Sequence, residues 1–208
     1  MIRKIINKIK QNGLQIRTSK MEKGKLLINT LINHHFCINN STTDSILKVL
    51  DTSFTDTILF DNEFDWNFLF GDEIKGNKKR FLLFDKINDW NYLRWNVWDF
   101  DETEKLTIHI SDQLNTKVYY FFIDPWICTT RWVLADKGQL IKSYFESHDK
   151  ILIDKGYFEI EEKIRTELKK QKNEFWEDKF WQLYENICQP IEIMNRNKNI
   201  KAIKGELK

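Results

Sequence analysis

Asp61 and the triplet Glu73-Ile74-Lys75 are the residues whose types and spacing come nearest to a catalytic arrangement. Two carboxylates separated along the chain can hold a hard cation while a nearby lysine assists an attacking water, which is the chemistry of metal-dependent nucleases. That chemistry needs the Glu-x-Lys element on a rigid strand, whereas this triplet stands between Gly71 and Gly76 and is predicted to form a solvated hairpin tip. A metal-dependent nuclease or hydrolase using Asp61, Glu73 and Lys75 is therefore an alternative hypothesis.

The other residue types that bind metals or act as nucleophiles lack the spacing that such sites require. His34 and His35 are adjacent, so they are poor joint ligands, and no cysteine pair has the C-x-x-C spacing. No G-x-S-x-G elbow, P-loop or dinucleotide-binding glycine pattern occurs. We therefore expect no catalytic residue, no metal site and no cofactor.

A third group of residues intersperses carboxylates with an aromatic side chain and has the chemistry of a binding surface. A negative surface with an aromatic anchor suits docking onto a basic cleft, such as the active site of a nuclease. The alternative interpretation is a set of solvated turns between strands. The predicted partner-binding residues are Asp61, Glu63, Asp65, Trp66, Asp72, Glu73, Asp99, Asp101 and Glu102.

Charge and composition narrow the class of protein. Aromatic residues, among them 15 Phe and 8 Trp, supply enough apolar surface for a packed core and exclude a disordered chain. The net charge of +2 is low for a dedicated DNA-binding protein, although residues 1–25 hold eight basic residues and one acid. A nucleic-acid-associated protein of phage defence, using residues 1–25 and the basic tail 196–208, is thus a further alternative. Three widely spaced cysteines and no long apolar run predict a cytoplasmic protein without a membrane partner.

The elements that must position these residues can be placed by periodicity. Residues 1–12 predict a basic amphipathic helix, because Ile2, Ile5, Ile6 and Ile9 recur with helical spacing. Short aromatic runs over residues 57–148 predict an antiparallel sheet, and apolar stripes over residues 157–189 predict C-terminal helices. The polar tail 196–208 is expected to fray. The chain, residues 1–208, is therefore predicted to be a single α+β domain.

Residues 116–148 give the sharpest local prediction, a three-strand antiparallel meander that ends the sheet. Asp136-Lys137-Gly138 is predicted to form a type I turn closed by a left-handed glycine. Trp132 and Leu134 are expected on one face, with Lys142 and Tyr144 on the other. Residues 105–114, just before, suit either a strand or a helix, and the spacing of Leu106, Ile110 and Leu114 favours the helix.

Residues 106–165 resemble small bacterial proteins of unassigned function, some of which are similar to immunity proteins encoded beside secreted or contact-dependent toxins. The resemblance lies in the helix Ile110–Leu114, the strands VYYFF and RWVLADKGQLIKSY, then Asp154-Lys155-Gly156 and an acidic helix start at Glu159. Trp132, Gly138, Lys142 and Tyr144 occupy matching positions, with Lys142 in place of the usual arginine. The resemblance implies an α+β fold and inhibition of a toxin through direct binding.

The leading hypothesis is therefore a bacterial immunity or inhibitor protein that forms a complex with a cognate toxin. A homodimer formed through exposed aromatic residues stays open beside it.

Overall fold

A computed structural model describes residues 34–59, 79–96, 99–124, 128–170, 176–187 and 201–207. Within these ranges four helices are present: α1 (Thr43–Val49), α2 (Phe100–Gln113), α3 (Glu159–Lys170) and α4 (Trp176–Ile187). Nine strands accompany them: β1 (His34–Asn39), β2 (Thr52–Leu59), β3 (Arg80–Phe84), β4 (Trp90–Trp95), β5 (Lys117–Asp124), β6 (Thr129–Asp136), β7 (Gln139–Ser147), β8 (Lys150–Gly156) and β9 (Lys201–Leu207).

All nine strands belong to one antiparallel sheet with the order β2-β9-β3-β4-β1-β5-β6-β7-β8. The prediction of mixed helices and strands with an antiparallel sheet is confirmed. The sheet extends beyond the predicted range 57–148, because β1, β8 and β9 lie outside it. The predicted helix 1–12 lies outside the described residues.

The expectation that residues 196–208 fray is wrong for residues 201–207, which form β9 between β2 and β3. Charges in this segment are matched by charges on both neighbouring strands. Lys204 pairs with Asp56 of β2 at 3.2 Å, and Arg80 of β3 pairs with Glu206 at 3.3 Å. Backbone pairing and these ion pairs hold the segment, and Ala202, Ile203 and Leu207 add apolar contacts with the rest of the sheet.

Helices pack on both faces of the sheet, and each face has its own apolar cluster. On one face, Ile46 of α1 and Ile110 of α2 join sheet residues that include Phe36. On the other face, Leu168 of α3 and Phe180 of α4 pack against the sheet. Both faces of the central strands are therefore buried, which explains why those strands read as continuous apolar runs in the sequence.

The helix starts follow from local sequence. Thr42 caps α1 and forms a capping box with Ser45. Residues 105–114 belong to α2 and not to a strand, so the choice of a helix from the spacing of Leu106 and Ile110 is confirmed. The first turn of α2 is acidic, which favours the helix N-terminus electrostatically.

The turn between β6 and β7 differs from the prediction. Asp136 pairs directly with Gln139, and Lys137 and Gly138 both have positive φ, so the turn has the conformation expected of type I′. A register shift follows, because Leu134 pairs with Lys142 and Ala135 with Leu140. Ile141 is therefore the extra residue of a bulge.

That bulge reverses the predicted faces. One extra residue in β7 shifts every pair beyond it by one position, which moves the β7 side chains to the other face of the sheet. Trp132 therefore lies directly opposite Tyr144. Lys142 and Tyr144 consequently share the face of Trp132 and Leu134, and their assignment to the other face is wrong. Trp132 and Tyr144 stack with their ring centroids 4.0 Å apart.

Candidate functional site

Three of the nine predicted partner-binding residues are described. Asp99, Asp101 and Glu102 lie together at the start of α2. The other six, Asp61, Glu63, Asp65, Trp66, Asp72 and Glu73, lie outside the described residues, as does Lys75 of the nuclease hypothesis. Residues 1–25, one of the two basic segments of the nucleic-acid hypothesis, lie outside them too, and residues 201–207 of the other segment are described.

The first turn of α2 shows how its carboxylates are positioned. Asp99 is the N-cap, and its Oδ1 accepts a hydrogen bond from the backbone N–H of Glu102 at 2.9 Å. Glu102 accepts a hydrogen bond from the Nζ of Lys79. Asp99 and Asp101 are exposed to solvent. Two carboxylates of this turn therefore face solvent, and a third is paired with a lysine.

The next acidic residue of α2, Glu104, ties the helix to the sheet. Its Oε2 accepts hydrogen bonds from Arg131 Nη2 of β6 at 3.2 Å and from Ser143 Oγ of β7 at 2.5 Å. The Arg131 guanidinium is 1% exposed and lies 5.0 Å from the centroid of the Phe100 ring. Burial lowers the pKa of Arg131, and the charge of Glu104 opposes that shift.

A second charged cluster, which the sequence analysis did not single out, lies between β7, β8 and α3. We call it the α3 docking cluster, and its members are Lys142, Asp154, Glu161 and Arg165. Lys142 is 2% exposed, and its Nζ lies 2.5 Å from Asp154 Oδ1 and 3.6 Å from Glu161 Oε1. Arg165 lies 3.1 Å from Asp154 and 3.6 Å from Glu161. Two cations and two carboxylates thus alternate in space.

Trp132 completes the α3 docking cluster from β6. Its indole Nε1 donates a hydrogen bond to Glu161 Oε2 at 3.1 Å. Burial raises the pKa of Glu161, while the bond from Trp132 and the charge of Lys142 lower it, and burial prevails. For Asp154, partial burial raises the pKa, but the hydrogen bond from Lys142 and the charge of Arg165 together hold it below its usual value.

Beside this cluster, two hydrogen bonds to Glu146 reach toward α4. The Tyr144 hydroxyl donates to Glu146, and the Nζ of Lys179 in α4 donates to the same carboxylate at 3.1 Å. The Arg165 guanidinium lies 5.4 Å from the Tyr144 ring centroid. Burial and the bond to Glu146 raise the pKa of Tyr144, so the hydroxyl stays protonated and can donate. These contacts attach both C-terminal helices to the sheet.

The sequence contains a signal for the buried acid of this cluster. Glu161 stands three residues before Ile164 and seven before Leu168, and all three face the sheet on one helical stripe. An acid on an apolar stripe is expected to need a buried cation. Its partner Lys142 could not be assigned, because the prediction did not include the bulge at Ile141 and therefore placed that lysine on the opposite face of the sheet.

The pH dependence of stability should reveal Glu161. Because its folded pKa is raised above 4.5, its ionised form lowers stability at neutral pH, and that cost disappears as the pH falls through the folded pKa toward 4.5. Asp154 has the opposite sign, since its contribution is present above pH 3.8 and is lost as the pH falls through its lowered folded pKa. We therefore expect the free energy of unfolding of the wild type to rise relative to that of Glu161→Gln as the pH is lowered from neutral to 4.5. Urea unfolding of both proteins measures this difference. A constant difference across that window would contradict the assignment.

The described residues include no group of three or more His, Cys, Asp and Glu side chains that could hold a metal ion. His35 is buried among the rings of Tyr92, Phe121 and Tyr184. Within the described ranges, no helix combines the length and apolarity needed to cross a lipid bilayer.

Comparison of the chain with protein-family models, with curated proteins and with solved structures gives no match.

Proposed function

We propose that this chain is a protein-binding inhibitor of the bacterial immunity type, which neutralises a cognate toxin by forming a complex with it. The observation that supports the proposal most directly is the ion pair between Lys79 and Glu102. Lys79 follows residues 60–78, which contain six of the predicted binding residues, and Glu102 belongs to the turn that contains the other three. The pair holds the residue that directly follows this segment against the first turn of α2.

The buried charged side chains around α2 and α3 are paired with one another inside the fold, which also favours binding over catalysis. Glu104 is engaged with Arg131, and the α3 docking cluster is paired internally. Each set joins a helix to the sheet, so these groups are already engaged within the fold. The exposed carboxylates of α2 remain for a partner with a basic surface. Complementary charge accelerates encounter and selects among partners.

Co-expression with the product of the adjacent gene tests the proposal. We expect protection of the host from that product and a complex of both proteins on size-exclusion chromatography. Asp101→Lys should lower the association rate constant at low salt about three- to tenfold, because it reverses an exposed charge on the proposed surface. Asp85→Lys is the matched control, since Asp85 is exposed just beyond the opposite end of β3 from Lys79.

Two results would contradict the proposal. One is growth arrest unrelieved by this chain, with the two proteins eluting separately. The other is an equal effect of Asp101→Lys and Asp85→Lys on association, which would move the interface away from α2.

A further inference from the structure

Strand β8 forms one end of the sheet and is exposed to solvent along nearly its whole length. Within the described residues β7 is its only strand neighbour, so its outer edge presents backbone N–H and C=O groups that can pair with a further strand. Ile151 is 50% exposed and Leu152 is 57% exposed, so large apolar side chains of this strand contact water. An open edge with accessible apolar side chains is a surface to which an extended segment can be added.

The bulge in β8 decides which side chains an added strand would meet. Over the segment paired with β7, β8 has one residue more than its neighbour, and that extra residue is Leu152. In a regular strand, two residues five positions apart, such as Lys150 and Lys155, point to opposite faces of the sheet. The extra residue cancels that alternation, so the two lysines lie on the same face.

The pairing with β7 identifies that face, because residues directly opposite each other in an antiparallel pair share one. Lys155 lies opposite Ser143, whose hydroxyl donates a hydrogen bond to Glu104 of α2, so Lys155 is on the face that α2 covers. Ile153 and Lys150 lie opposite the residues two and four positions further along β7, so they share it. We call Lys150, Ile153 and Lys155 the basic edge.

The lysines of the basic edge are not neutralised within the described part of the chain. There, the ion pairs of β8 involve Asp154, which contacts Lys142 and Arg165 on the face of α3. Lys150 and Lys155 are both exposed to solvent. Two exposed cations on one face of an open strand attract an acidic segment and repel a basic one.

We propose that β8 binds an extended acidic segment of another protein as an additional antiparallel strand. A regular strand repeats every two residues, so acids four positions apart would lie opposite Lys155 and Lys150, with an apolar residue midway opposite Ile153. Leu152 stays unpaired on this edge, as the extra residue of a bulge does. The fourth position of the segment lies opposite Ile151 and suits a further apolar residue.

A second copy of this chain does not supply that pattern. Its own β8 has lysines on the α2 face, so joining two β8 edges into one continuous sheet would bring the lysines of both copies to the same face. Like charges on neighbouring strands destabilise the pairing. Lysine also protects an edge strand from such self-association, while an acidic segment is attracted by it. Charge therefore selects an acidic partner over a second copy.

The first test measures binding of a fluorescent peptide, Ser-Glu-Thr-Val-Ile-Glu-Ser, to the full chain by anisotropy. We expect saturable binding, and Lys150→Glu and Lys155→Glu should each weaken it about three- to tenfold, because each turns an attractive pair into a repulsive one. Lys86→Glu is the matched control, since Lys86 is exposed in the loop after β3, and it should leave binding unchanged.

The spacing of the acids and the sign of the charges give two sharper tests. Inserting one serine between the valine and the isoleucine of the peptide keeps its charge but turns its two acids to opposite faces, so binding should weaken about three- to tenfold. A peptide with lysines in place of both glutamates should bind the chain that carries Lys150→Glu and Lys155→Glu together and not the wild type. Equal binding of the two glutamate peptides, or failure of the lysine peptide to bind the double variant, would overturn the proposal.

Amide hydrogen exchange followed by NMR measures strand addition directly. Excess of the first peptide should slow exchange of the outward amides of β8 and leave the terminal strand β2, at the other end of the sheet, unchanged. No saturable binding at millimolar peptide, or binding without this protection, would overturn the proposal. Self-association of the chain that protects the same amides without peptide would assign the edge to a second copy instead. These experiments need no toxin, so their outcome is independent of the proposed function.

Discussion

Replacing Lys142 by Met is expected to lower the free energy of unfolding by about 3–5 kcal/mol, the range for breaking a buried ion pair by removing one partner. The side chain is 2% exposed and lies between Asp154 and Glu161. Met keeps most of its volume, so the loss comes from the charge. Glu161, which is buried in α3, would keep its carboxylate without the nearest lysine. Urea unfolding followed by circular dichroism measures the loss.

Lys163→Met is the matched control for this result. Lys163 also pairs with a glutamate of α3, Glu159, but both side chains are exposed. An exposed pair contributes little, so the control should unfold at nearly the same urea concentration as the wild type. Adding Glu161→Gln to Lys142→Met should recover part of the loss, because the amide oxygen can still accept from Trp132 and has no charge. Equal effects of Lys142→Met and Lys163→Met would contradict the role given to the α3 docking cluster.

Gly156→Ala is expected to have the second largest effect. Gly156 has φ near +78° at the end of β8, and a Cβ there would fall well inside van der Waals contact of the backbone carbonyl oxygen of Ile141. A left-handed conformation alone costs about 1–2 kcal/mol for alanine. Backbone cannot move aside as a side chain can, so the pairing of Lys142 with Gly156 must shift and the total should exceed that strain.

Gly138→Ala separates the strain of the left-handed conformation from the contact with the Ile141 backbone. Gly138 has almost the same φ, near +79°, but its Cβ would meet the side chain of Asp112, with Oδ1 at 2.7 Å. That carboxylate can rotate away, and the remaining contact, 2.9 Å from the Asp112 Cβ, needs only a small shift of the turn, so the control should lose little beyond the conformational strain of about 1–2 kcal/mol. Thermal unfolding of both variants measures the difference. A loss for Gly156→Ala no larger than for Gly138→Ala would show that the contact with Ile141 relaxes freely.

The sequence predicts those elements of the fold that are stabilised by contacts between residues close together in the chain. The cap at Thr42 and the spacing of Leu106 and Ile110 are complete within one or two helical turns, so α1 and α2 could be placed without knowledge of the rest. The bulge at Ile141 and the pairing of β9 depend on strands elsewhere in the chain. Periodicity within a segment contains no information on such pairing, which is why both predictions were wrong.

The same difference between local contacts and contacts between distant segments applies to the candidate site. The carboxylates Asp99, Asp101 and Glu102 could be selected by type, and they lie together because one helical turn contains them. Which of the three is paired within the fold and which are exposed to solvent could not be predicted from the sequence. Glu102 is paired with Lys79, twenty-three residues earlier in the chain. The α3 docking cluster was missed for a related reason, since its members come together only after the β7 register is fixed.

The position of β9 has a consequence for the order in which the molecule assembles. Thr52 of β2 is paired with Leu207 of β9, so this part of the sheet cannot close until segments far apart in the chain meet. Strands β5 to β8, by contrast, are joined to neighbours in chain order. Because contacts between distant segments carry the larger loop-closure entropy, they form slowly. We infer that β5–β8 is the nucleus of folding and that the β2–β9–β3 end is completed last.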